Sequence, residues 1–98
     1  MYAMIRRYSG SELADLLAAH SDDVETLISG VSGLQSYVLV RTHDGCASIT
    51  VCDDQAGAEE SARVAAAWIG ENASDLRLTA PDIAGGEVMV HLGTAARA

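Results

Sequence analysis

The sequence has no lysine, no phenylalanine, one proline, one tryptophan and two cysteines among its 98 residues. Without lysine, six arginines stand against fourteen carboxylates, for a formal net charge of −8. A phosphate backbone or an anionic membrane surface would repel that balance, which excludes nucleic acid and lipid headgroups as partners. Missing phenylalanine removes the exposed aromatics that RNA-reading sheets use for stacking. Two cysteines are too few for the disulfide framework that supports small secreted domains. Cys46 and Cys52 also fall on one expected strand, where six residues span about 20 Å. A disulfide needs Cα atoms within about 7 Å, so both thiols are expected to be reduced. No CxxC pair or His/Cys cluster has zinc-ligand spacing, and no metal is expected. No apolar run approaches the roughly 20 residues of a membrane-spanning helix. Met1 to Gly10 lacks the apolar centre of an export signal, so the expected location is cytoplasmic.

What remains has the size of one domain, expected over residues 1–93 with a tail at 94–98. Tyr2 to Tyr8 is rich in β-formers and broken by Ser9-Gly10, which predicts a strand. Ser9 and Glu12 have capping-box spacing, with Ser11 as a second possible cap. Leu13, Leu16, Leu17, Val24, Leu27 and Ile28 then form one helical stripe, predicting one long helix or two collinear pieces that stop at Gly30 and Gly33. Asp53 and Asp54 are N-cap candidates for an alanine-rich helix from about Ala56 to Gly70. Ala58, Ala62, Ala65 and Ile69 lie on its stripe, with Trp68 beside it. Residues 72–84 read as irregular. Glu87 to Leu92 alternates and predicts the last strand.

Between the helices, Leu34–His43 and Cys46–Cys52 flank Asp44-Gly45, a strong hairpin marker. A type I′ turn there pairs His43 with Cys46, and counting outward sorts the side chains. One face carries Thr42/Ala47, Val40/Ile49 and Val38/Val51. The other carries Arg41/Ser48, Leu39/Thr50 and Tyr37/Cys52. The aliphatic face is expected beneath the helices. The resulting order β-α-β-β-α-β predicts an α+β, ferredoxin-like βαββαβ domain, a four-stranded antiparallel sheet with two helices on one face.

The other sheet face carries the main expectation about assembly. With Ile5 directed to the helices, the uncovered face receives Tyr2, Met4, Tyr8, Tyr37, Leu39, Met89 and His91. A contiguous amphipathic patch of this kind marks an interface. Two such sheets packed face to face in an isologous homodimer would bury it. A first strand phased the other way would put Met4 inside.

Chemistry-bearing residues are few. His91, near Tyr37 and Arg41 on the same predicted face, could form a proton-transfer site or a hydrogen-bonded interface histidine. Trp68 either lines a helix–sheet cavity or anchors the core. Trp68, Tyr37, His91 and Arg41 are therefore the candidate pocket. Arg6 and Arg41 could bind a carboxylate or phenolate, or pair with Glu87 or another subunit. His43 borders the turn and His20 suits a capping role. Asp53, Asp54, Glu59 and Glu60 read as capping and solvated surface. No nucleophile constellation follows from spacing.

The run Leu27-Ile28-Ser29-Gly30-Val31-Ser32-Gly33-Leu34-Gln35-Ser36-Tyr37 resembles the glycine-containing segment of dimeric α+β-barrel proteins, the antibiotic-biosynthesis-monooxygenase-like group in particular. The following hairpin, the alanine-rich helix with Trp68 and the Gly-Glu-Val that opens the last strand extend the resemblance over nearly the whole chain. It implies a small homodimer with a pocket between helices and sheet. Some members act on aromatic compounds without metal or flavin, so no cofactor is expected. Ser32 stands where relatives carry proline, and no catalytic residue carries over. Two functions follow from different classes: a cofactor-independent monooxygenase-like enzyme acting on a small hydrophobic or aromatic compound, or a non-catalytic ligand-binding or stress-associated accessory dimer.

Overall fold

The computed structural model describes residues 1–92. The tail expected at 94–98 lies outside them. Seven elements follow one another: β1 (Tyr2–Ser9), α1 (Ser11–Ala19), α2 (Ser21–Ser29), β2 (Leu34–Thr42), β3 (Gly45–Cys52), α3 (Gln55–Asn72) and β4 (Asp82–Glu87). The strands form one antiparallel sheet in the order β2-β3-β1-β4. This is the α+β, ferredoxin-like arrangement expected from the sequence.

The leucine stripe behaves as its spacing requires. Leu13, Leu17, Val24 and Ile28 are buried together with Ala14, Cys46 and Ala73, and Leu16, Tyr37, Leu39, Trp68 and Ile69 pack around them. The helix is broken at His20, which ends α1 and precedes α2. Its N–H donates back to Leu16 O and Leu17 O at 3.1 and 3.2 Å, and its own carbonyl accepts from Val24 N–H at 3.0 Å. The stripe keeps its phase across this break because both segments bury the same side. The expected Ser9/Glu12 capping box is absent, and α1 begins instead at Gly10, with no side-chain cap. Gly10 has φ +99°, a conformation that favours glycine. α3 is capped as expected, with Asp54 Oδ1 accepting from Gly57 N–H at 2.9 Å.

The hairpin turns one residue early. Thr42 pairs with Gly45 and Val40 with Ala47, so the ladder is offset by two residues from the predicted pairing. Neither His43 nor Asp44 has positive φ, and the turn is therefore not type I′. Gly45 is needed for another reason: a Cβ there would stand 2.0 Å from Tyr8 O on β1. A two-residue offset preserves side-chain parity, so the two predicted sets of hairpin residues stay intact.

Their orientation is reversed. Met4, Arg6, Cys46, Ser48, Thr50 and Cys52 are buried beneath the helices, and Tyr2, Tyr8, Tyr37 and Leu39 join them on that side as half-buried residues. Ile5, Val38, Val40 and Ile49 point away from the helices and remain 40–48% exposed. Tyr2, Met4, Tyr8, Tyr37 and Leu39 thus do not form an uncovered face, and the interface expected from them loses its basis. Met4 is inside, as in the alternative phasing of the first strand. The physical reason lies in α3. It brings Ala58 and Ser61, both fully buried, against the sheet. Small helix residues leave height for tyrosine, methionine and arginine side chains, whereas a valine–isoleucine face would leave voids there.

The last strand is also displaced. β4 is Asp82–Glu87 rather than Glu87–Leu92, and it pairs with β1 through Tyr2↔Glu87 to Arg7↔Asp82. Gly85 and Gly86 have low β-propensity, and the strand forms through its pairing with the edge of β1, with the Tyr2 and Met4 side chains lying against Gly85. Val88 N–H then donates to Met1 O at 2.9 Å. Met89, Val90 and Leu92 are exposed beyond the sheet.

Candidate functional site

A groove of about 460 Å³ lies between α1–α2 and the β2 side of the sheet. The helical spacing of Leu17, Ser21, Val24, Glu25 and Ile28 supplies one wall. Leu34, Tyr37, Leu39 and Arg41 from β2 and Cys46 from β3 supply the other. The lining is mainly apolar, with a few polar groups, as in small-molecule sites.

Tyr37 is half-buried in this wall. Burial pushes its phenol above the usual tyrosine range; the Arg6 charge pulls it back, while Tyr8 and Cys46 add to the rise. Burial likewise raises the Cys46 thiol, against the charge of Arg41. At neutral pH these groups are a phenol and a thiol, so Tyr37 can donate a hydrogen bond and Cys46 is not a thiolate nucleophile. Arg41 reaches the mouth, where Nη1 donates to Asp15 Oδ1 at 2.8 Å in an exposed ion pair.

Behind the groove, and sharing Leu17, Val24, Ile28, Tyr37 and Leu39 with it, is a second void of about 20 Å³. Arg6, Tyr8, Ser48 and Trp68 line it. It has room for roughly one water-sized group. Trp68 therefore packs as a core anchor beside a small void instead of lining the large groove. Its ring meets His20 edge-on, with centroids 5.7 Å apart and planes at 64°. His20 Nδ1 is 3.0 Å from Asp23 Oδ2.

Of the four candidate pocket residues, Tyr37 and Arg41 come together in the groove, Trp68 lies behind it, and His91 is elsewhere. His91 Nε2 is 3.3 Å from Ser36 Oγ, at the end of the sheet where Ser36 pairs with the buried Val51. Met89, 94% exposed, belongs to neither cavity. His43 is exposed in the turn. Arg6 does not pair with Glu87; it is 2% exposed and lies beneath α3. Glu25 and Ser29 of the groove were missed, although both fall within one turn of the Val24–Ile28 stripe. Among the described residues no group of three His, Cys, Asp or Glu side chains is placed to hold a metal ion, and no helix is long and apolar enough to cross a membrane.

No family model matches the chain, and no curated protein matches it significantly. Its fold is shared by several solved structures. A protein of unknown function from Nitrosomonas europaea superimposes with a TM-score of 0.71 at 19% identity, over 93% of this chain and 90% of that one. A candidate antibiotic biosynthesis monooxygenase from Chloroflexus aurantiacus gives 0.66 at 17% identity, over 95% and 97%. SnoaB, a cofactor-independent oxygenase from Streptomyces nogalater, gives 0.60 at 17% identity, over 93% and 95%. The chain thus has the fold found among antibiotic-biosynthesis-monooxygenase-like proteins, in line with the resemblance drawn from its sequence.

Proposed function

We propose that this protein is a homodimer of the α+β-barrel type whose groove binds a small hydrophobic, aromatic compound, in the manner of cofactor-independent monooxygenases. The observation that carries the reading is the groove: about 460 Å³, mainly apolar, and edged by Tyr37, Arg41 and Glu25. An apolar wall would take an aromatic ring, and the phenol and guanidinium would orient a hydroxyl or carbonyl oxygen at its edge. Dimerisation would use the sheet face that presents Ile5, Val38, Val40 and Ile49, a patch of the kind that marks an interface.

A second reading, binding without turnover, is favoured by the state of the site's own groups. Tyr37 and Cys46 are both held protonated by burial, and His91 is outside the groove. A general base must lie within hydrogen-bond reach of the proton it takes. Glu25 is the one carboxylate in the lining. Trp68, the sole tryptophan, sits behind the shared wall, so its fluorescence reports occupancy. Saturable fluorescence change with hydroquinones and naphthols, accompanied by oxygen uptake, is the expected result for the enzyme. Saturable change without uptake supports the binding protein, and no change across such a panel would overturn both.

A further inference from the structure

Arg6 lies 2% exposed in the middle of the sheet's helix-covered face. Its Nε donates to Ser48 Oγ at 3.3 Å, and Nη1 donates to Ser61 O and Ala62 O at 3.5 and 3.3 Å. These bonds are long, and every acceptor is neutral. The ion pairs among the described residues belong to His20, Arg41 and Arg63. The phenols of Tyr8 and Tyr37 feel the Arg6 charge, but burial raises both against its pull. Neither supplies a negative charge at neutral pH. A guanidinium stays protonated, and an unpaired buried charge carries a large desolvation penalty. Two further features lie on the same sheet face. The void of about 20 Å³ is lined by Arg6, Tyr8, Tyr37, Ser48 and Trp68. On the same face of β3, the buried Thr50 hydroxyl has no hydrogen-bond partner.

We propose that Arg6 is an anion-binding residue, and that the void beside it receives the ionised oxygen of an aromatic acid or phenol whose ring occupies the adjoining groove. Leu17, Val24, Ile28, Tyr37 and Leu39 line both groove and void, so the two spaces adjoin, and a ring in the groove would carry its attached oxygen toward Arg6 between these side chains. A charge-assisted bond to the guanidinium would then replace the missing carboxylate, with the Tyr8 and Tyr37 phenols as neutral donors beside it. The aromatic half of this proposal rests on the ligand-binding reading above; the anion half does not.

The test titrates benzoate, benzamide and formate against the full-length protein at constant ionic strength, read by Trp68 fluorescence and thermal shift. Benzoate is expected to bind about tenfold or more tightly than benzamide, as a charge-assisted contact implies. Arg6→Met should erase that preference, with benzoate losing about tenfold more affinity than benzamide. If Arg6→Met does not fold, Arg6→Lys and the wild-type comparison of benzoate with benzamide carry the test. Formate stabilising the protein as strongly as benzoate supports an anion site filled from solution and overturns the aromatic half alone. Equal affinity for benzoate and benzamide keeps the groove but overturns Arg6 as an anion site. Binding of neither benzoate nor formate overturns the proposal entirely.

Discussion

Replacing Ile49 by lysine separates the fold of one protomer from its assembly. Ile49 lies on the central strand β3, opposite Ile5 and Val38 on the neighbouring strands. With Val40, these residues keep 40–48% of their surface in solvent. Full burial of such a side chain is worth about 1.5–3 kcal/mol, so the exposed part holds about 1 kcal/mol. Four such residues on each of two protomers would pool this exposed apolar surface in a sheet-to-sheet contact. In the proposed dimer this face would be the interface, and a buried charge inside it would oppose association. Ile49→Lys places an ammonium on each protomer in the contact, at several kcal/mol per ion if both are buried. Dissociation should strengthen by about a thousandfold or more, which corresponds to about 4 kcal/mol. Within one protomer the lysine can extend into solvent from a partly exposed site, so the fold survives. Light scattering at micromolar concentration should give twice 10.2 kDa for the wild type and 10.2 kDa for the variant. The wild-type melting temperature should also rise with concentration, and that of the variant should not. A wild type of 10.2 kDa with a concentration-independent melt would refute the reasoning, as would a variant that stays dimeric.

Three further outcomes follow from the protomer itself. Gly45→Ala would bring a Cβ to 2.0 Å from the Tyr8 backbone oxygen, and denaturant unfolding should show a loss of about 2 kcal/mol or more from the forced strand separation. Asp54→Ala removes the 2.9 Å cap on Gly57 N–H; about 1 kcal/mol should be lost, with far-ultraviolet circular dichroism unchanged at low temperature. Tyr8, Tyr37 and Cys46 have folded-state pKa values raised by burial from 10.0, 10.0 and 9.0. Their contribution to stability is complete below those unfolded values and is lost as pH rises through the folded ones, because the unfolded chain releases these protons first. Alkaline unfolding should therefore begin above about pH 9, and the Tyr8→Phe/Tyr37→Phe variant should shift its midpoint upward. An unshifted midpoint would remove the phenols from the explanation.

Order, topology and core stripe were legible because each rests on a local period. Leu13 through Ile28 holds one helical phase, and the two runs around Asp44 alternate cleanly, so the element sequence follows from residues a few positions apart. Which hairpin face meets the helices is not local information. Both faces are apolar enough to be buried, and one layer of helices covers only one of them. The deciding contacts are remote in sequence: Arg6 with Ser61 and Ala62 on α3, and Gly45 against Tyr8. Ranking the faces by hydropathy selects Val38, Val40 and Ile49, whereas packing under Ala58 and Ser61 selects Met4 and Arg6 on β1, and Tyr37 and Leu39 lie on the same sheet face under α1 and α2. The strand β4 was hidden for a similar reason. Ile83-Ala84-Gly85-Gly86 has little β-propensity, and the edge of β1 supplies its hydrogen bonds.

The site was legible only where it coincided with the core pattern. Tyr37 and Arg41 alternate with Leu39 on β2, so one strand phase keeps them on one face, and α1 and α2 over that face make it the groove wall. Val40 points the other way, yet it too reaches the groove rim, because β2 is the edge of the sheet. Val40 is therefore common to the ligand groove and to the aliphatic face offered to a second protomer. Covering that face would remove water from one side of the β2 edge while the helices enclose the other. If the proposed dimer and ligand site both exist, a coupling carried by Val40 would be reciprocal, each binding event shifting the other by the same factor. An edge strand with aliphatic side chains on one face and a phenol–guanidinium pair on the other is suited to that double duty. Alternation alone generates it, since residues 38 and 40 must oppose residues 37, 39 and 41.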